Sequence, residues 1–445
     1  MTRRKNNLLL LVVGCALWGL VSTAGPTDVA RQGQPWKLEA SKITHDNGLT
    51  MIVERDGSSE TTILQILVRG GKRAEPEGKT GLAFLTTRLM VEIPDSGKVR
   101  QLMSMAARFW VSSRGDYSLI HIECLSPNLE QTLKILSKII LDPLFSGLRI
   151  DAVKDYMRHQ TRVEEDDSVV VGHLANMRAL FPSPGYAGSV YGEEKTIEAI
   201  KGRDIAEFYR RHFTAGNVVV LVSSDLEVQR IVDIVGKALA ELSPGAALSF
   251  PPVGLREAGE KTAHIERDTK QSYVSLAYPL PAVTPRSYAL SFLLENLLGK
   301  GPGSLLWPLR SEKRLAYNVN ARATQMVDGG VLEAYLETTN SKRETARAEL
   351  RNLLERLADG GTAADELEAA KAAARANFLR DNEVKGTRAG TLAAFEALGL
   401  GFNYFNELLN EMDAVGLEEM NAFIESVLAQ EKAFEVVVGS GLEKK

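Results

Sequence analysis

The feature that most restricts this chain is that it repeats its own order of elements. An apolar strand is expected over 62–69, carrying Ile63, Leu64, Ile66, Leu67 and Val68. After it come the glycine turn Gly70-Gly71, a helix over 79–92, a strand pair within 109–125 and a helix over 128–140. That last helix places Leu129, Leu133, Leu136 and Ile140 on one stripe, the mark of an amphipathic helix packed against a core. The same order returns with a strand over 273–278, a helix over 286–298, the turn 299–303, strands over 316–323 and 331–337, and a helix over 342–358. The first strands begin 211 residues apart (62 and 273) and the late helices 214 apart (128 and 342). A near-constant offset confines the chain to folds built from two like halves. Each half then ends rich in helix, over 204–212 and 227–241 in the first and over 362–381 and 417–430 in the second. Strands grouped with helices, without strict alternation, predict an α+β fold whose sheets carry helices on one face.

The break between the halves falls at 242–254, where Pro244, Pro251 and Pro252 with Gly245 and Gly254 favour extended backbone. With 445 residues, more than one core is expected. There are 53 Lys and Arg against 57 Asp and Glu, a net charge of −4, so no global basic field draws nucleic acid or anionic lipid.

The first residues read as an export signal over 1–24. Arg3, Arg4 and Lys5 form a basic start, and 8–21 runs without a charge, too short to span a bilayer. Ser22-Thr23-Ala24 offers a cut after Ala24, while Val12-Val13-Gly14-Cys15 resembles a bacterial lipobox that would make Cys15 the acylated N-terminus. Either way the expected location is the periplasm or cell envelope, with membrane reached only through the signal or a lipid anchor. The other cysteine, Cys124, sits in an alternating strand-like run and reads as a small buried hydrophobe.

Several chemistries find no support. His45, His121, His159, His173, His212 and His264 are scattered, so no local zinc motif can be written. Gly78-Lys79-Thr80 ends like a phosphate-binding loop, but Arg73 stands where its first glycine is required, and the stretch reads instead as a helix start with Thr80 as cap. No G-x-S-x-G occurs.

Three segments resemble the insulinase/pitrilysin-type peptidases, the inverzincins that include mitochondrial processing peptidase: Val68-Arg-Gly-Gly-Lys-Arg-Ala-Glu-Pro-Glu-Gly-Lys-Thr-Gly-Leu-Ala83, the stretch 185–200, and 299–319 with Leu-Trp-Pro-Leu-Arg-Ser-Glu-Lys-Arg-Leu-Ala-Tyr at its centre. The resemblance implies two duplicated metallopeptidase-like domains, each a mainly antiparallel sheet with helices on one face, closing as a clamshell: 36–243, a linker over 244–260, and 261–441. In that family Gly-Leu-Ala precedes H-x-x-E-H, whose histidines bind zinc and whose glutamate polarises the bound water. Here Gly81-Leu82-Ala83 precedes Phe84-Leu-Thr-Thr-Arg88, so Phe84 and Arg88 occupy the histidine positions and Thr87 the glutamate position. The third ligand aligns near Gln160. No metal and no cofactor are therefore expected in this chain, and no catalytic residues of its own.

The second-half signature departs less. Arg310 and Tyr317, seven residues apart, match the pair that in this family holds the substrate backbone and stabilises the oxyanion, donors suited to a carbonyl that gains charge. Gly299, Gly301 and Gly303 read either as a close approach for a peptide or as a plain turn. The resemblance thus implies an accessory, non-zinc subunit of a heterodimeric envelope metallopeptidase, binding peptide and lending Arg310 and Tyr317 to a zinc-bearing H-x-x-E-H partner. The alternatives are an inactive peptide-binding or scaffold homologue, alone or as a homodimer, and an independent zinc peptidase with a rearranged site.

Overall fold

A computed structural model describes residues 37–182, 185–256 and 261–441; the expected export signal over 1–24 and Cys15 lie outside them. The first sheet holds β1 (Ala40–Thr44), β2 (Thr50–Arg55), β3 (Thr61–Arg69), β4 (Arg108–Ser113), β5 (Tyr117–Leu125) and β6 (Val218–Ser224), in the order β1-β2-β6-β3-β5-β4. The second holds β7 (Thr262–Glu266), β8 (Gln271–Leu280), β9 (Asn318–Met326), β10 (Gly329–Thr339) and β11 (Phe434–Gly439), in the order β7-β11-β8-β10-β9. Without β1 the two orders are the same, and the one parallel contact in each, β2 on β6 and β7 on β11, falls at the same place. The duplication seen as a spacing in the sequence is therefore a duplication of topology.

β3 is buried almost end to end, although a half-covered strand should alternate. One face is covered locally: Leu64, Ile66 and Val68 pack with Leu133, Leu136 and Ile140 of the helix Leu129–Leu141 and with Ile231 and Val235 of Val228–Ala238. The opposite face, with Ile52, Leu67, Leu119 and Leu221, meets Leu392, Ala393 and Ala397 of the helix Lys385–Ala397, which belongs to the second half. The exchange is mutual. The helix Ser168–Leu180 of the first half packs on β8 and β11, with Val169, Val171 and Ala175 against Tyr273, Tyr335, Val436 and Val438. These two helices start 217 residues apart (168 and 385), so they are the same element of the repeat. Small residues admit them: a Cβ on Gly172 would stand 2.1 Å from the Tyr273 ring.

Buried charge fastens both crossings. Glu333 of β10, fully buried, accepts from Asn176 Nδ2 at 2.7 Å and Arg322 Nη2 at 2.6 Å, and lies 2.8 Å from His173 Nδ1. On the other side Arg388, 2% exposed, donates to Glu54 Oε1 at 2.5 Å and to Asp56 Oδ2. The segment joining the halves is itself tied down: Leu248 N donates to Asn217 Oδ1 at 3.1 Å, Arg73 Nη2 to the Pro251 carbonyl at 2.9 Å, and Val253 N to Asp328 Oδ2 at 2.8 Å. Proline and glycine predicted extended backbone here, and hydrogen bonds to both halves hold it. From Leu38 onward both sheets belong to one compact unit.

Candidate functional site

The helix that would carry zinc spans Leu82–Leu89, shorter at both ends than the expected 79–92. Thr80 does not cap it. The cap position is Gly81 at φ 100°, and the free N–H groups of Gly81 and Ala83 donate instead to Glu75 Oε1 at 3.1 and 2.9 Å. The Glu75 carboxyl, six residues before Gly81, thus does the work that the Thr80 hydroxyl was expected to do. Burial lifts the Glu75 carboxyl well above the usual range.

On this helix Phe84 is 4% exposed, with its ring edge-on to Tyr191 at 4.8 Å and stacked on Tyr156 at 6.2 Å. The Thr87 hydroxyl is turned into its own helix and donates to the Ala83 carbonyl at 2.8 Å. Arg88 pairs with Glu92 at 2.8 Å and lies 5.8 Å from the Tyr156 ring centre. Tyr156 and Gln160 share the helix Gly147–Asp166, so the fold brings the element of the third ligand position against the helix of the first two. The residues present do not fit a metal ion: a phenyl ring has no donor, the hydroxyl is spent on the backbone, and the guanidinium repels cations. Among the described residues no cluster of three or more His, Cys, Asp or Glu is gathered that could hold one.

Arg310 and Tyr317 come together elsewhere. Arg310 lies on the short helix Trp307–Ser311, its guanidinium 5.0 Å over the Trp307 ring. Tyr317 just precedes β9; its N–H donates to the Glu337 carbonyl at 2.9 Å while its side chain is 60% exposed, so it is no core aromatic. Both line one surface cleft of about 360 Å³ with Arg314, Leu315, Ala316, Thr338, Thr339 and Lys342. Among the described residues no hydrogen bond, ion pair or ring contact joins this pair to the helix Leu82–Leu89. Lys342 and Thr338 were not singled out from the sequence, because only the folded chain brings the end of β10 and the turn after it into one cleft with Arg310. Gly301 and Gly303, at φ 102° and 93°, hold the turn before Trp307 in the left-handed region that glycine favours. Cys124 is buried, and burial pushes its thiol up to about 11, so it is no nucleophile.

Fold and site together define a two-half metallopeptidase-like chain whose metal helix has no ligands. The models for "Insulinase (Peptidase family M16)" and "Peptidase M16 inactive domain" match residues 50–179 and 199–374. The chain belongs to the insulinase family, peptidase family M16. It is 24% identical over 401 residues to the "non-peptidase homolog YmxG" of Helicobacter pylori, covering 87% of this chain and 92% of that one. It is 23% identical over 374 residues to the "zinc protease PqqE" of the same bacterium, covering 81% and 84%. The crystal structure of a peptidase M16 inactive domain from Pseudomonas fluorescens superposes with a TM-score of 0.82 at 22% identity, over 92% of this chain and 99% of that one.

Proposed function

We propose that this chain is the non-zinc subunit of a two-chain envelope metallopeptidase. It binds peptide substrate and presents Arg310 and Tyr317 to the zinc site of a homologous H-x-x-E-H partner. Export through the signal over 1–24 carries it to the periplasm or cell envelope. The observation that carries this reading is the separation of the two sets of residues. Arg310 and Tyr317 share an open cleft, with the tyrosine 60% exposed, while Phe84, Thr87 and Arg88 close their own helix to metal. Donors left at a surface, out of contact with the helix Leu82–Leu89 of their own chain, suit completion by a second chain. One bacterium having both a relative described as a non-peptidase homolog and one described as a zinc protease supports the pairing.

The test is capture of the tagged chain from envelope extract, with an assay for chelator-sensitive peptide hydrolysis. An equimolar companion bearing H-x-x-E-H, with activity, is expected. Arg310→Ala should lower turnover by about 10²–10³-fold, the cost of one oxyanion donor, while assembly stays intact. Full turnover in that variant would refute the assigned role. A lone, inactive chain that still binds peptide would favour the scaffold alternative.

A further inference from the structure

We propose that the Arg310–Tyr317 cleft selects peptides that carry a carboxylate side chain. This deepens the reading above, on which it rests for the peptide, and adds the substrate class. Three cationic side chains, Arg310, Arg314 and Lys342, line the cleft of about 360 Å³, and no acidic residue lines it. Among the described residues none of the three is in an ion pair, whereas the neighbouring Lys313 is neutralised by Glu349 at 2.5 Å. In a chain of net charge −4 this is a local feature and not part of a general basic surface.

The duplication supplies an internal control. The corresponding place in the first half, at the start of β4 and the end of β5, is a cleft of about 430 Å³ lined by Met103, Ala106, Arg108, Glu123 and Leu125 among others. There the cation is already spent: Arg108 pairs with Glu123 at 2.6 Å. The fold itself therefore does not require uncompensated positive charge at this position. One further feature of the second-half cleft points to a ligand. The left-handed backbone is not that feature: Arg314 at φ 52° is matched by Ala106 at φ 54° in the first-half cleft, so this turn belongs to the repeat. Thr338, on the cleft wall and fully buried, has a hydroxyl without a partner. A carboxylate accepts from guanidinium, ammonium and hydroxyl donors at once, and its charge is what an amide of the same shape lacks.

The test is fluorescence anisotropy of the full exported chain with a short labelled peptide containing a central Asp-Glu pair, and with its Asn-Gln counterpart. The acidic peptide should bind about tenfold tighter or more, with a preference that shrinks as salt is raised. Arg314→Gly, which suits the left-handed backbone, and Lys342→Gln should each cut the preference about three- to tenfold, with unchanged circular dichroism. Equal affinity for both peptides would overturn the selectivity and leave peptide binding standing. Binding of neither would overturn both. Tighter capture of a single-stranded oligonucleotide than of the acidic peptide would overturn the assigned ligand class.

Discussion

Replacing Glu333 with Gln removes the charge at the centre of the crossing between the helix Ser168–Leu180 and β10. Two routes give the magnitude. Burial pushes the carboxyl up, but the His173 hydrogen bond and charge, the Arg322 guanidinium and the Asn176 amide outweigh it and bring it from 4.5 down to about 2. At 1.36 kcal/mol per unit, that displacement corresponds to about 3 kcal/mol of folding stability. Independently, removing one partner of a fully buried ion pair costs about 3–5 kcal/mol, and because the Arg322 side chain keeps 36% of its surface exposed the cost here lies at the low end of that range. The sign follows from the depressed folded value: the contribution is complete above the ordinary glutamate range and is lost as pH falls through about 4.5 toward 2. Urea unfolding followed by circular dichroism should show Glu333→Gln weaker by about 3 kcal/mol near neutral pH, with the gap closing in acid. A loss under about 1 kcal/mol, or a gap that does not change with pH, would refute the claim that this carboxylate holds the crossing as an ion.

Gly172→Ala should destabilise by about 1–3 kcal/mol in a thermal melt, even though alanine is the better helix former by about 1 kcal/mol, because the new methyl meets the Tyr273 ring at 2.1 Å. A raised melting temperature would show that the exchanged helix does not pack there. Metal analysis of the purified chain should find less than about 0.1 equivalent of zinc, and a full equivalent would overturn the account of Phe84, Thr87 and Arg88. Phe84→Ala should cost about 3–5 kcal/mol through the cavity left beneath Tyr156 and Tyr191.

The loss of metal ligands was legible directly, since Phe84, Thr87 and Arg88 are chemically unable to take the roles their positions carry in the family. What fills the space was not: Tyr156 and Tyr191 come from segments 72 and 107 residues beyond Phe84, and no local pattern marks them. Thr80 misled for a different reason, competition from a nearby side chain. A hydroxyl before an apolar run signals a cap, but the buried carboxylate of Glu75 satisfied those N–H groups first.

By itself the sequence determined the duplication, the apolar strands, the amphipathic helices and the Arg310–Tyr317 spacing, because each of these is written in periodicity or offset along one segment. Only the tertiary structure decided that each half lends a helix to the sheet of the other, and that Arg314, Thr338 and Lys342 join the pair in one cleft. The helices Ser168–Leu180 and Lys385–Ala397 carry apolar and small residues whose partners lie across the molecule. Local periodicity shows that such a face must be covered, and only the folded chain shows by which half.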